Sequence, residues 1–239
     1  MTGPQTGTIP GTLIGIGVGP GDPELLTLKA VRLLNAVDAL AYPANQDGDS
    51  LARAIAAPHL PAGLPEISLP MAFKPGQSPE HPAYDKGALA IAEHLGAGRD
   101  VAFLCEGDPL FYGSFIYVLE RLGGRFPIRV VPGVASPMAC AALAQRPLVA
   151  GDEPLAILPA TADDATLDTA LSAVRAAIVM KLGRHLPRVA AALERAGLAE
   201  GATVVVRGGL EGERILPLPQ ALVEGVPYFS LLLARKDPL

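Results

Sequence analysis

The chain has 239 residues, a formal net charge of −5 and 50% hydrophobic residues. That is long enough for one large domain, or for two of about 100–150 residues, with a substantial core. An acidic chain without tryptophan, with five Tyr and six Phe, makes a poor general nucleic-acid binder. The lack of a run of about 18 uncharged apolar residues argues against a membrane span.

The first element is an apolar strand, Leu13 to Val18. It turns through Gly19, Pro20, Gly21, Asp22 and Pro23 into a predicted helix, Pro23–Asn35. A strand feeding a glycine-rich turn and then a helix presents backbone to a ligand. The dinucleotide fingerprint fails, however. Counting from Gly15 its third glycine falls on Pro20, and counting from Gly17 it falls on Asp22. Proline offers no N–H to a phosphate.

Strands are then expected at Asp38–Ala41, Glu66–Leu69, Val101–Cys105 and Ile128–Val131. Helices are expected at Ser50–Ala57, Tyr84–Leu95 and Phe111–Leu122. Such alternation implies βαβ units and a largely parallel sheet, the α/β class. A helix of small residues, Ala135–Ala144, follows Pro132-Gly133. A second series comprises strand Leu155–Leu158, helix Asp164–Val174, strand Ala177–Lys181, helix Leu186–Ala196 and strand Thr203–Arg207. Short strands near Glu213–Leu216 and Tyr228–Ala234 read as a closing antiparallel ribbon. The GDEP turn, Gly151 to Pro154, is the expected boundary between a 1–150 domain and a 151–239 domain, and small-molecule sites usually lie where two such domains face each other.

Four strand ends carry candidate chemistry. In CEGDPLFYGS (105–114), Gly107 permits close backbone approach, and Asp108 caps the helix or faces a cationic ligand; on residue types alone a plain βα turn with an N-cap is the better explanation. In VVPGVASPMACAA (130–142), small residues suit either a flat ligand or close helix–sheet packing. In IVMKLGR (178–184), Met180 reads as core filler, and Lys181 and Arg184 as surface charges, unless a ligand lies there. VVVRGGLEGERI (204–215) ends a strand in Arg207-Gly208-Gly209, which an ordinary turn also explains.

There is no phosphate-cradling GxxxxGK[ST] loop, no HExxH and no GxSxG, and His59, His81, His94 and His185 lack ligand spacing. No metal site is expected. Cys105 precedes acidic Glu106 and Asp108, which raise a thiol pKa, and Cys140 falls in an apolar helix, so neither reads as a nucleophile. Two distant cysteines make no disulfide framework, and the MTGPQTGTIPGT start shows no secretory pattern; both suit the cytoplasm.

Together, VGPGDPELLTLKA, GDPLFYGS, VVPGVAS and VMKLG, in that order from about Leu13 to Leu233, resemble the tetrapyrrole methylase family of cobalamin and sirohaem biosynthesis. The resemblance implies two α/β domains with mainly parallel or mixed sheets flanked by helices, usually as a homodimer, with S-adenosylmethionine bound in the cleft between them. Carried over by motif, it implies methyl-donor contacts at Pro20, Glu106, Gly107, Asp108, Phe111, Ala135, Ser136, Met180 and Gly208. The family often has an acidic residue before the Arg of the last segment, where this chain has Val206. The opening loop, Gly19, Gly21 and Asp22, would face the tetrapyrrole, with Lys181, Arg184 and Arg207 taking its carboxylates. Further cations weighed for that role are Lys29, Lys74, Lys86, Arg146 and Arg214.

GVGPGDPELLTLKAVRLL together with EGDPLFYGSFIYVLERL is most similar to the branch acting on precorrin-2. That implies methylation of carbon 20 to give precorrin-3A. A cobalt-containing substrate and a non-catalytic tetrapyrrole carrier remain alternatives, and no catalytic acid or base stands out.

Overall fold

In the computed structural model of the chain, residues 9–71 and 82–236 are described. They fall into two compact units, Met1–Ala135 and Ser136–Leu239.

The first unit is built on five parallel strands: β1 (Leu13–Gly17), β2 (Ala39–Ala44), β3 (Glu66–Pro70), β4 (Val101–Cys105) and β5 (Ile128–Val131). Their order is β3-β2-β4-β1-β5. The central strands are buried throughout, as expected of a sheet covered on both faces. Period-two alternation divides the side chains between two cores. Ile14, Ile16, Leu40 and Leu104 face α1 (Leu28–Leu34) and α2 (Leu51–Ala56). Leu13, Ala41 and Phe103 face α3 (Pro82–Gly96) and α4 (Phe115–Leu122).

Two predicted helices start later than expected. Pro23–Leu25 is a single tight turn, and Leu26 is extended, with ψ 136°. The helix restarts because Thr27 Oγ1 accepts the Ala30 N–H at 3.1 Å, an N-cap. Phe111 lies outside α4, which begins at Phe115. The intervening turn is held by the Asp108 carboxylate on the Leu110 N–H, and Tyr112 adopts φ 55°. Phe115 itself is fully buried. A Cβ on Gly15 would come within 2.7 Å of its ring, so the glycine in β1 makes room for the aromatic.

The second unit holds a mixed sheet: β6 (Leu155–Pro159), β7 (Ala176–Met180), β8 (Thr203–Val206), β9 (Arg214–Pro217) and β10 (Ser230–Arg235), in the order β6-β7-β10-β8-β9. β6 and β7 are parallel. β10 is antiparallel to both β7 and β8, and β9 is antiparallel to β8. The expected closing ribbon is therefore corrected: β9 and β10 do not pair with each other, because β10 inserts between β7 and β8. A helix missed in the sequence, α8 (Leu218–Glu224), connects them. It buries only Leu218 and Ala221, too few apolar positions to show a helical period.

α6 (Asp164–Ser172), α7 (Leu186–Ala196) and α8 cover one face of this sheet, through Leu167, Leu171, Val189, Leu193, Leu218 and Ala221. α5 (Ser136–Leu143) covers the other, where Cys140 packs with Ile178, Val205, Leu231 and Leu233. α5 thus packs on the sheet of the unit it opens, Ser136–Leu239. Among the described residues no helix is long and apolar enough to cross a membrane.

Candidate functional site: the carboxyl ends of two sheets

In the first unit, β1 and β4 are neighbours, yet their following helices leave on opposite faces, α1 on one and α4 on the other. Such a switch opens a crevice beyond the strand ends, where ligands bind in α/β sheets. Three glycine-bearing turns meet there. Gly107 N–H donates to Gly19 O at 2.8 Å, and Gly19 N–H to Gly107 O at 3.3 Å. Both glycines have positive φ, 80° and 65°, which an L side chain adopts only with strain. The third turn follows β5. A Cβ on Gly17 would lie 2.5 Å from both Gly107 O and Gly133 N, and one on Gly133 would lie 2.1 Å from Gly107 O. Only bare backbone lets these turns touch.

Asp108 fastens the assembly. Its Oδ2 accepts the Gly133 N–H at 3.1 Å, and its Oδ1 the Leu110 N–H at 2.9 Å. Pro20 is buried beside Gly19, and Gly21 and Asp22 are half-buried. One Asp22 oxygen accepts the Glu24 N–H at 2.9 Å, so this side chain caps the turn as well as facing outward. Glu106 is half-buried. Burial pushes its carboxyl above the ordinary value, against a hydrogen bond from the Ala52 backbone at the start of α2. Phe111 is half-buried and meets the exposed Tyr112 edge to face, with centroids 5.0 Å apart. Ala135 closes the β5 turn and is half-buried.

Burial raises the Cys105 thiol to about 12 and the Cys140 thiol to about 11. The acidic neighbours named in the sequence reading, Glu106 and Asp108, are minor causes for Cys105. Both thiols are buried and free, and neither can serve as a thiolate nucleophile near neutrality.

In the second unit, Ser136 opens α5, and Met180 ends β7 with its carbonyl accepting the Ala160 N–H at 2.7 Å. Both side chains are half-buried. Lys181 follows with φ 59°, and Arg207, after β8, has φ 51°. Left-handed non-glycine residues are costly and concentrate at functional sites. The Gly208 backbone rests on α5: a Cβ there would lie 2.9 Å from Cys140 Sγ and 3.3 Å from Leu143 Cδ1. Gly209, φ 77°, donates its N–H to the Glu213 carboxylate at 2.7 Å. Arg184 is exposed. His185 beside it is held below the ordinary imidazole value, by burial first and then by Arg184 and Arg188. Lys181, Arg184 and Arg207 thus all follow strands β7 and β8 at this end of the sheet, together with Glu211 and Glu213.

The other cations do not gather there. Arg146 donates to Thr203 Oγ1 at 2.5 Å, at the opposite end of β8 from Arg207. Arg214 is paired with Glu224 at 2.6 Å. Lys29 is exposed on α1 and Lys86 on α3, while Lys74 lies outside the described residues, as does His81. The sequence pattern predicts a strand over Tyr228 and Phe229 and points to no role for them. They sit at the entrance to β10, between the ends of β7 and β8. Only the strand order brings them to this end, and no local sequence signal carries it. Among the described residues, no group of three or more His, Cys, Asp or Glu side chains could hold a metal ion.

A family model described as Tetrapyrrole (Corrin/Porphyrin) Methylases matches residues 12–221. The chain belongs to this family. It is 42% identical over 231 residues to a Precorrin-2 C(20)-methyltransferase from a Sinorhizobium species, covering 93% of this chain and 94% of that one. It is 31% identical to the Cobalt-precorrin-2 C(20)-methyltransferase of Salmonella typhimurium over 95% of this chain and 97% of that protein. Among solved structures, the uroporphyrin-III C-methyltransferase of Thermus thermophilus complexed with S-adenosylhomocysteine superposes with a TM-score of 0.69. It is 24% identical and covers 95% of this chain and 92% of its own, so the two chains share a fold.

Proposed function

We propose that this chain is an S-adenosylmethionine-dependent methyltransferase that methylates carbon 20 of precorrin-2 to give precorrin-3A in cobalamin biosynthesis. The observation that carries this reading is the 42% identity, over nearly the full length of both chains, to a relative named for that reaction. The Salmonella relative, named for the cobalt complex, keeps cobalt-precorrin-2 as a second reading.

The reaction is an in-line displacement. An electron-rich meso carbon attacks the methyl group and the carbon–sulfur bond breaks. Its electron pair returns to sulfur as S-adenosylhomocysteine, and the methylated carbon loses its proton. Alignment of nucleophile, methyl and sulfur is the main requirement, and positioning alone can supply most of the acceleration. No protein nucleophile is needed, which accords with the raised thiol values of Cys105 and Cys140.

In this reading the donor's contacts are Pro20, Glu106, Gly107, Asp108, Phe111 and Ala135 in the first unit, and Ser136, Met180 and Gly208 in the second. Gly19, Gly21, Asp22, Lys181, Arg184 and Arg207 serve the tetrapyrrole. The supporting geometry is the switch-point crevice of the first sheet and the left-handed backbone of Lys181 and Arg207 at the strand ends of the second. The enzyme would act in the cytoplasm, where buried free thiols persist, and as a homodimer. A non-catalytic carrier would need no donor site.

The test is incubation of the purified chain with isotopically methyl-labelled S-adenosylmethionine and either precorrin-2 or its cobalt complex. Label at carbon 20 of the metal-free substrate is expected. Turnover of the cobalt complex alone would move the assignment to the second reading. Calorimetry showing no S-adenosylhomocysteine binding would leave the carrier.

A further inference from the structure

The segment entering β10 carries two adjacent exposed aromatic residues. Tyr228 is 60% exposed and Phe229 51%, and their rings meet edge to face with centroids 5.5 Å apart. The backbone beneath them is fixed. Ser230 N–H donates to Tyr228 O at 2.8 Å, a tight turn centred on Phe229, and Arg207 N–H donates to Phe229 O at 2.7 Å. Gly183, at the exit of β7, comes close on the other side: a Cβ there would lie 3.8 Å from Tyr228 Cα. The pair is thus presented by a rigid turn, flanked by the two strained residues, Lys181 and Arg207.

Charge says what this surface fits. The Arg207 Nε is anchored on Glu211 O at 2.6 Å, which fixes the plane of the guanidinium. Two acids share that loop: Glu213 accepts the Gly209 N–H, and Glu211, whose carbonyl holds the guanidinium, is exposed. Arg184 is exposed beside His185, whose imidazole is held below its ordinary value by burial first and by Arg184 and Arg188 after it. An exposed corner of two nearly perpendicular rings beside a fixed guanidinium suits a large conjugated ring system carrying peripheral carboxylates: one ring can lie against its face while the other meets its edge. Aromatic side chains stack on such rings, and planar guanidinium groups take carboxylates in pairs.

We infer that Tyr228 and Phe229 form a contact face for the tetrapyrrole macrocycle, with Arg207 beside it taking a peripheral carboxylate. This rests on the methyltransferase reading above and adds to it two residues that set affinity for the ring rather than for the donor. The pair touches the substrate's face and takes no part in proton or methyl transfer.

The experiment uses the full chain, with Tyr228→Ala, Phe229→Ala and the conservative Tyr228→Phe and Phe229→Tyr, each checked for a native circular-dichroism melt. KM is measured separately for precorrin-2 and for S-adenosylmethionine. Uroporphyrin, a stable octacarboxylate macrocycle, is titrated as a direct binding probe. Each alanine variant is expected to raise the tetrapyrrole KM and the uroporphyrin Kd about tenfold, the scale of one lost stacking contact. Donor KM should change less than twofold, and the conservative variants should restore affinity. Unchanged tetrapyrrole KM in folded variants would overturn the inference, as would a parallel rise in donor KM. So would a change in sedimentation with both constants intact, which would make the pair a contact with a second copy. Uroporphyrin binding that weakens in the variants of a chain with no turnover would sustain the face and defeat the methyltransferase reading instead.

Discussion

The Asp108 carboxylate accepts the Gly133 N–H at 3.1 Å across 25 residues of chain, tying the turn after β4 to the turn after β5. The same carboxylate holds Leu110 within its own turn. Both oxygens are therefore acceptors. An amide has one acceptor and one donor, so Asp108→Asn must set an NH₂ against one of these N–H groups. A hydrogen bond to a charged group contributes about 1.5–3 kcal/mol. The variant is expected to melt lower and to bind S-adenosylhomocysteine about tenfold more weakly by calorimetry. A lower melt with unchanged affinity would make the bond purely structural.

The close approach of Gly17, Gly107 and Gly133 gives a second expectation. A methyl group on Gly17 or Gly133 would meet backbone at 2.1–2.5 Å, and backbone cannot swing aside as a side chain can. Gly17→Ala and Gly133→Ala should each part the turns, with donor affinity falling before the fold is lost. As a control, a Cβ on exposed Gly124 meets nothing within 4 Å. Its φ of 76° adds only a strain of about 1 kcal/mol to Gly124→Ala. Equal loss of donor binding in all three would separate the effect from the packed turns.

Glu106 makes stability depend on pH in a stated direction. Burial raises its carboxyl above 4.5, and hydrogen bonds from its own N–H and that of Ala52 only partly oppose this. A carboxyl whose pKa rises on folding is protonated more in the folded chain than in the unfolded one. It costs nothing in acid and costs stability as pH climbs from about 4.5 through the raised value. Glu106→Gln has no charge to bury, so its melting temperature relative to the parent should grow over that interval and then level off. Turnover should persist at saturating substrates, because alignment needs no carboxylate. A relative melting temperature that falls with pH would show the carboxylate stabilised where it lies. Loss of about 10⁴-fold in kcat with binding intact would make Glu106 a general acid or base.

The elements that could be read from the chain are those whose signal is local. β1 reads LIGIG between turn residues, and β4 reads VAFLC before Glu106-Gly107; both are apolar runs of strand length, and both are strands. The predicted helix from Pro23 failed because one side chain, Thr27, caps a fresh start while Leu26 stays extended, and apolar spacing is blind to that. The tail failed for a larger reason. Which strand β10 joins is decided by tertiary packing, and neither β9 nor β10 encodes the insertion between β7 and β8. The glycine turns could be picked out as candidates. That Gly17, Gly107 and Gly133 touch follows from β4 and β5 flanking β1, which sequence spacing does not contain. Tyr228 and Phe229 are the extreme case, since their place beside Arg207 exists only once the sheet order is known.

The last expectation concerns charge. The chain carries −5 overall, and the proposed substrate is a polyanion with eight carboxylates, so long-range electrostatics oppose their encounter. Local cations must reverse this. Arg184 is exposed, and the guanidinium of Arg207 is aimed from a strained strand end. Exposed ion pairs are individually worth about 0–1 kcal/mol and are screened by salt. Several acting together give an affinity that falls as ionic strength rises. S-adenosylmethionine carries one sulfonium, one ammonium and one carboxylate, so its binding should respond far less. KM for the tetrapyrrole is expected to rise between low and physiological salt while KM for the donor stays nearly flat. Arg184→Gln and Arg207→Gln should each flatten the tetrapyrrole slope and leave the donor slope unchanged. The Arg146→Gln variant serves as the contrast, because Arg146 is engaged with Thr203 at the far end of β8, and it should keep the parent's slope. Equal salt responses for both substrates would mean that the carboxylates are held by backbone amides and neutral donors, such as those of the turns around Gly19 and Gly107.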